Sequence, residues 1–150
     1  PPVHMEDDAR MVARFEAFDG IKVICGGTTA QIYARETDKK VMSEFKYVNK
    51  KIPPISYIEG VDLVTEGIIT LSAVKRMLDD QELQSGEDGA SLLLNKILES
   101  DRIVFLQGMQ RNIAMKDNLP LDLDLRDVIV EKLAVKLRSI GKVVEIVRYD

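Results

Sequence analysis

The stretch KVICGGTTAQIYARE, residues 22–36, decides how the chain is read. A short apolar run ends at Cys25, two glycines and two threonines follow, and a helical pattern begins. Val23 and Ile24 are β-branched, so residues 21–25 read as a strand. Thr28 reads as the cap of a helix over 28–37 that turns Ile32 and Tyr33 inward. A strand passing into a helix within a few residues is the unit of α/β packing.

The same junction recurs downstream. Residues 61–66 read as a strand closed by Gly67, followed by a helix over 71–79 with Thr70 as its cap. Residues 102–107 contain the apolar run IVFL and stop at Gly108. Continuous apolar runs mark strands covered on both faces, as in mostly parallel sheets. Around them, Met11, Phe15 and Phe18 make one stripe on a helix over 6–18 with acidic residues in its first turn. Residues 41–48 alternate in polarity and read as a half-exposed edge strand. Ile52-Pro53-Pro54 reads as a loop, because proline suits neither a helix interior nor a central strand. Residues 79–89 read as a solvated loop, and Asp88 as the cap of a helix over 89–100. Residues 109–120 form a long connection without a period. Leu125, Val128, Ile129, Leu133, Leu137 and Ile140 repeat at helical spacing over 122–140, and a strand over 142–149 closes the chain. The expected architecture is therefore α/β: a single three-layer Rossmann-like domain whose mostly parallel sheet has about five strands, with helices on both faces.

With 150 residues the chain suits one domain with a core of useful size. Apolar residues make up 45% and charged residues 31%, a globular balance, while aromatics reach only 5%, so Leu, Ile and Val must fill the interior. The net charge of −4 argues against nucleic acid or an anionic membrane as partner, since both require a basic surface. No apolar run approaches the about 20 residues of a membrane span. A single cysteine, Cys25, excludes an internal disulfide and suits a reducing cytoplasm. His4 is the only histidine, so a His/Cys metal site is excluded. The opening PPVHMEDD lacks an initiator methionine. Residues 1–5 read as the end of a linker, ahead of one domain over 6–150 of a longer chain.

In open α/β sheets ligands bind beyond the carboxyl ends of the strands. The three strand-end glycine junctions then define one candidate edge. Gly26, Gly27, Thr28 and Thr29 offer backbone amides at a helix start together with two hydroxyls, a setting for phosphate or carboxylate. The same four residues also read as a tight turn and a helix cap with no ligand. The spacing is neither GxGxxG nor a Walker loop, so no dinucleotide or ATP follows. Thr65, Glu66 and Gly67 either present a carboxylate to that edge or leave Glu66 as a solvated strand end. Gly108, with Arg111 and Asn112 on the loop behind it, either reaches an anion or forms plain surface. Cys25 reads as a small buried hydrophobe or, beside a helix start, as a stabilised thiolate.

PPVHMEDD, KVICGGTTAQIYARE, IEGVDLVTEGIITLS, DGASLLLNKILES and NLPLDLDLRDVIVEKLAVKLRSIGKVVEIV together resemble the C-terminal region of bacterial phosphatases similar to stage II sporulation protein E, of the type 2C serine/threonine class. The likeness covers nearly all of the chain in order. One segment departs from it: residues 114–120 read AMKDNLP where the family tends to AHQNPDLP. The resemblance implies an accessory domain that follows a phosphatase domain in the same chain. Its divalent metal site belongs to that phosphatase domain, and Glu66 stands where a metal-binding Asp would be needed. On this reading the chain has no cofactor, metal site or catalytic residue of its own. It is regulatory, binds a small phosphorylated or anionic ligand through the residues above, and pairs with its phosphatase domain or with a second copy. A weaker likeness of layout to sugar-phosphate isomerases of the ribose-5-phosphate type leaves an alternative, an enzyme with Glu66 as general base. A structural or dimerising module is the third reading.

Overall fold

The computed structural model describes residues 1–81, 86–110 and 121–150, with the side chains of 121–125 outside that description. The chain runs α1 (Met5–Ala17), β1 (Val23–Cys25), α2 (Gly27–Thr37), β2 (Met42–Ser43), β3 (Ser56–Tyr57) and β4 (Leu63–Thr65). It continues with α3 (Ile68–Asp80), α4 (Gly89–Glu99), β5 (Arg102–Gly108), α5 (Leu121–Ser139) and β6 (Val143–Tyr149).

The strands form two sheets, and this corrects the Rossmann-like expectation. One sheet has four strands in the order β1-β4-β3-β2, and the other has only β5 and β6. Within the first, β1 and β4 pair in parallel, with Val23 opposite Leu63 and Cys25 opposite Thr65. The pairs β3–β4 and β2–β3 are antiparallel, so the sheet is mixed. In the second sheet β5 and β6 pair in parallel over seven residues, Arg102 opposite Val143 through Gly108 opposite Tyr149. No mostly parallel sheet of five strands is present.

The reason lies in what apolar runs encode. They say that a strand is covered, not which strand lies beside it. β4 is covered on both faces: Leu63 joins the α3, α4 and α5 core, while Val64 joins the α1 and α2 core. The runs that read as covered are those of β1 and β5: in β1 only Ile24 is buried, and the IVFL run of β5 is half-buried. The alternation over 41–48 indicates an edge strand, as β2 is, but overstates its length: only Met42 and Ser43 find a partner, and Phe45 is 92% exposed. Ile52, Pro53 and Pro54 interrupt the returning chain, which leaves the partner strand β3 two residues long.

The larger core joins α3, α4 and α5 around Val74, Leu94, Leu133, Ala134 and Leu137, all essentially inaccessible. The smaller core sets α1 and α2 against β1 and β4 through Val12, Ile24, Tyr33 and Val64. Phe15 meets Tyr33 edge to face at 5.4 Å between ring centres. Buried Asp8 on α1 accepts from Arg35 Nη2 on α2 at 2.7 Å, so the two helices are fixed by charge as well as by packing.

Helix starts are set by three different devices. Asp88 caps α4 as the sequence indicates: its Oδ1 accepts from the amides of Ala90 and Ser91, and its Oδ2 from the Ser91 hydroxyl. The expected caps Thr28 and Thr70 lie instead inside the first turns of α2 and α3, whose flanking residues are Gly26 and Gly67. α3 also runs on through Asp79 and Asp80, residues assigned to a loop by composition. The rest of that loop includes 82–85, outside the described residues.

Candidate functional site

β1 and β4 are parallel neighbours, so their carboxyl ends open onto the same edge. The Gly26 amide donates to the Thr65 carbonyl at 2.9 Å and locks the two loops together. Gly26 has φ 130°, a conformation that side-chain-bearing residues rarely adopt. This answers half of the question posed by the two glycines: Gly26 is required to turn the chain from β1 into α2. The Gly26 carbonyl then accepts from the Ala30 amide at 3.0 Å and starts the helix.

Gly27 answers the other half differently. A Cβ built on it meets nothing within 4 Å among the described residues, so the first turn of α2 has open space at Gly27. The turn has no side-chain cap and no acidic residue. The amides of Gly27, Thr28 and Thr29 belong to the helix start, which has no intrahelical acceptors for its first donors. Gly27 and Thr28 are exposed, and Thr29 is half-buried. The positive end of a helix macrodipole stands open there.

The neighbouring helix is closed. The Glu66 carboxylate turns back onto α3, where Oε2 accepts from the Thr70 amide at 3.1 Å and from the Thr70 hydroxyl at 3.4 Å. Its charge therefore fills the anion seat of α3 from within the chain. Thr65 is buried, and its hydroxyl donates to the Glu66 carbonyl at 2.8 Å, away from any ligand. Gly67 lies against the first loop, since a Cβ on it would stand 3.8 Å from the Gly26 Cα.

A cavity of about 540 Å³ lies beside this edge and between β1 and β5. Cys25, Thr29, Gly67, Gln107 and Gly108 all line it, so the structure brings parts of all three glycine junctions to one hollow. Thr28, Thr65 and Glu66 do not line it. The backbone of Pro1 covers Gly108 so closely that a side chain there would overlap it, and the Pro1 carbonyl accepts from the Gln110 amide at 2.8 Å. Arg111 and Asn112 lie outside the described residues.

No family model, curated protein or solved structure matches the chain at a significant level.

Two features of the hollow concern titration and satisfaction. Burial pushes the Cys25 thiol up to about 11, opposed by a hydrogen bond with Thr65 and reinforced by the charge of Glu66. Cys25 is half-buried by accessible surface rather than fully enclosed, and a thiol raised this far stays protonated near neutral pH. Gln107 is the residue that the sequence reading passed over. It is buried, its Nε2 donates to Asp127 Oδ1 at 2.6 Å, and its Oε1 has no partner among the described residues. The signal was present: one amide side chain closing the otherwise apolar run IVFL. Among the described residues no helix is long and apolar enough to cross a membrane.

Proposed function

We propose that the chain is a regulatory domain of a cytoplasmic serine/threonine phosphatase similar to stage II sporulation protein E, binding a small phosphorylated or carboxylate ligand and performing no catalysis itself. One contrast carries the reading: of two adjacent helix starts, α3 is filled by its own Glu66 and α2 is left open. Phosphate oxygens seated on residues 27–29 would take the free amides and the Thr28 or Thr29 hydroxyl. The missing side chain of Gly27 leaves room for them to approach the backbone. The extensive likeness to the phosphatase family supplies the regulatory context, and with it the phosphatase domain as partner in the same chain.

The alternative role of Glu66 as general base is less favoured, because its carboxylate is committed to the α3 backbone. The test is an amide-resolved NMR titration with inorganic phosphate and with a sugar phosphate. The expected result is saturable shifts of the residue 27–29 amides, absent when chloride replaces phosphate. If those amides stay still while others move, the site is elsewhere; if none moves, the anion reading fails.

The dimerising reading rests on a separate observation. Met42, Phe45, Tyr47, Val48 and Tyr57 are all exposed around the β2–β3 segment. An apolar group of this kind marks an interaction surface. Light scattering that shows a monomer at all concentrations removes it.

A further inference from the structure

The cavity between the two sheets has walls of a particular kind. Among the described residues β1 is hydrogen-bonded only to β4, and β5 only to β6, and both strands line the hollow along their length. Lys22 O accepts from Leu63, and Gly26 N donates to Thr65, so the even-numbered residues of β1 bond to β4. In a parallel ladder the alternate residues face the other way. The main-chain groups of Val23 and Cys25 therefore face the hollow. On β5, Asp101 O accepts from Val143 and Met109 N donates to Tyr149, so the odd-numbered residues bond to β6. Those of Val104 and Leu106 face the hollow in turn.

Apart from Pro1 against Gly108 and Gln110 at one end, two strand edges unpaired among the described residues thus stand across a gap inside the molecule. Unpaired backbone groups shielded from water are costly, and bare edges template the addition of a strand. Almost all Cα pairs between β1 and β5 are more than 8 Å apart. A strand between them needs about 9–10 Å, twice the interstrand spacing. The floor and walls are apolar, with Phe15, Leu71, Leu93, Ile97 and Phe105. The charged lining is mostly cationic, with Arg14, Lys22, Lys96, Arg102 and Arg126 against Asp127 and Asp150, in a chain whose net charge is −4. Arg14 and Arg102 share Glu145, while Lys22 and Lys96 make no ion pair among the described residues.

We propose that the cleft between β1 and β5 takes an extended segment of a partner protein, apolar at alternate positions and carrying Asp or Glu, added as a strand to both edges. Backbone pairing supplies affinity, alternate side chains enter the apolar walls, and the carboxylates meet Lys22 and Lys96. This site adjoins the α2 turn, whose Thr29 lines the same hollow, but its backbone pairing does not depend on phosphate binding there.

The test is selection of random peptides of roughly a dozen residues on the whole chain, with affinities read by fluorescence polarisation. Selected peptides are expected to share the acidic, alternating pattern. Val104→Pro removes one cleft-facing amide without touching the β6 ladder, and is expected to weaken them by about tenfold or more. Methylating the peptide amides one at a time, against the native chain, is expected to cost affinity at every position of the paired segment, because a strand between two edges bonds its successive amides alternately to β1 and to β5. No peptide enriched over a protein-free control overturns the proposal. So does a selected peptide whose methyl scan shows loss at alternate positions only, which means one edge, or at none, whatever Val104→Pro does. Phosphate-induced shifts at residues 27–29 are an independent readout, so either reading can fail alone.

Discussion

The carboxylate of Glu66 accepts from the backbone amide of Thr70 at 3.1 Å, so one acid closes the start of α3 while the equivalent turn of α2, one strand away, has none. Replacing Glu66 tests both sides of that relationship. Glu66→Ala is expected to cost about 0.5–2 kcal/mol in urea unfolding, the range of a lost helix cap. Glu66→Gln keeps an acceptor and should cost less. Both should strengthen phosphate binding at residues 27–29, because a nearby negative charge is gone. Equal stability in all three proteins would remove the capping role.

The two adjacent glycines should respond in opposite directions. Gly26→Ala forces a side chain into φ 130° and is expected to destabilise by more than about 1 kcal/mol. Gly27→Ala meets no atom within 4 Å and should be neutral or stabilising by about 0.4–1 kcal/mol. Gly27→Ala should nonetheless weaken phosphate binding, since the new methyl stands where the anion approaches. Thermal unfolding with and without phosphate separates the two effects.

Cys25 should be alkylated slowly by iodoacetamide at neutral pH and faster only as the pH nears about 11, the value to which burial raises its thiol. The stability consequence has a definite sign. Above the ordinary thiol pKa the unfolded chain loses this proton first, so the native state holds more protons and stability falls as pH rises. Tyr33 adds in the same direction, its hydroxyl raised first by burial and then by Glu16. Cys25→Ala should therefore flatten the alkaline limb of the stability curve. A limb unchanged by Cys25→Ala would show that the thiol contributes nothing to it.

Leu133 is wholly inaccessible in the core shared by α3, α4 and α5. Leu133→Ala is expected to cost about 2–5 kcal/mol by leaving a cavity there. Val135, on the same helix but 64% exposed, should tolerate alanine with little change in the midpoint of unfolding.

Much of the local structure was legible because it is written locally. Asp88 sits where its carboxylate must cap α4, and the strand over 61–66 closed by Gly67 is found as β4 followed by α3. Strand partners were not legible, since pairing depends on what lies across the sheet and not on the run itself. The helix stripe of α5 was half right. Leu133 and Leu137 point inward as the spacing requires, but Val128 and Ile140 are exposed, and the inward face is completed by Val130 and Ala134. A short alanine reads weakly in any pattern, yet here it lets helices approach. At the candidate site, the glycine junctions of β1 and β4 lie together at one sheet end, and that of β5, in the other sheet, lies across the hollow from them. The direction of the Glu66 carboxylate could not be read, because cap and ligand contact demand the same residue type at the same place.

The absence of any strand pairing between β1 and β5 bears on how the chain folds. Each parallel pair, β1 with β4 and β5 with β6, closes a loop of roughly forty residues within its own half of the sequence. Register in one half therefore imposes nothing on register in the other. The halves are joined by the interlocking of α3, α4 and α5, a docking of side chains that can follow two separate acts of strand assembly.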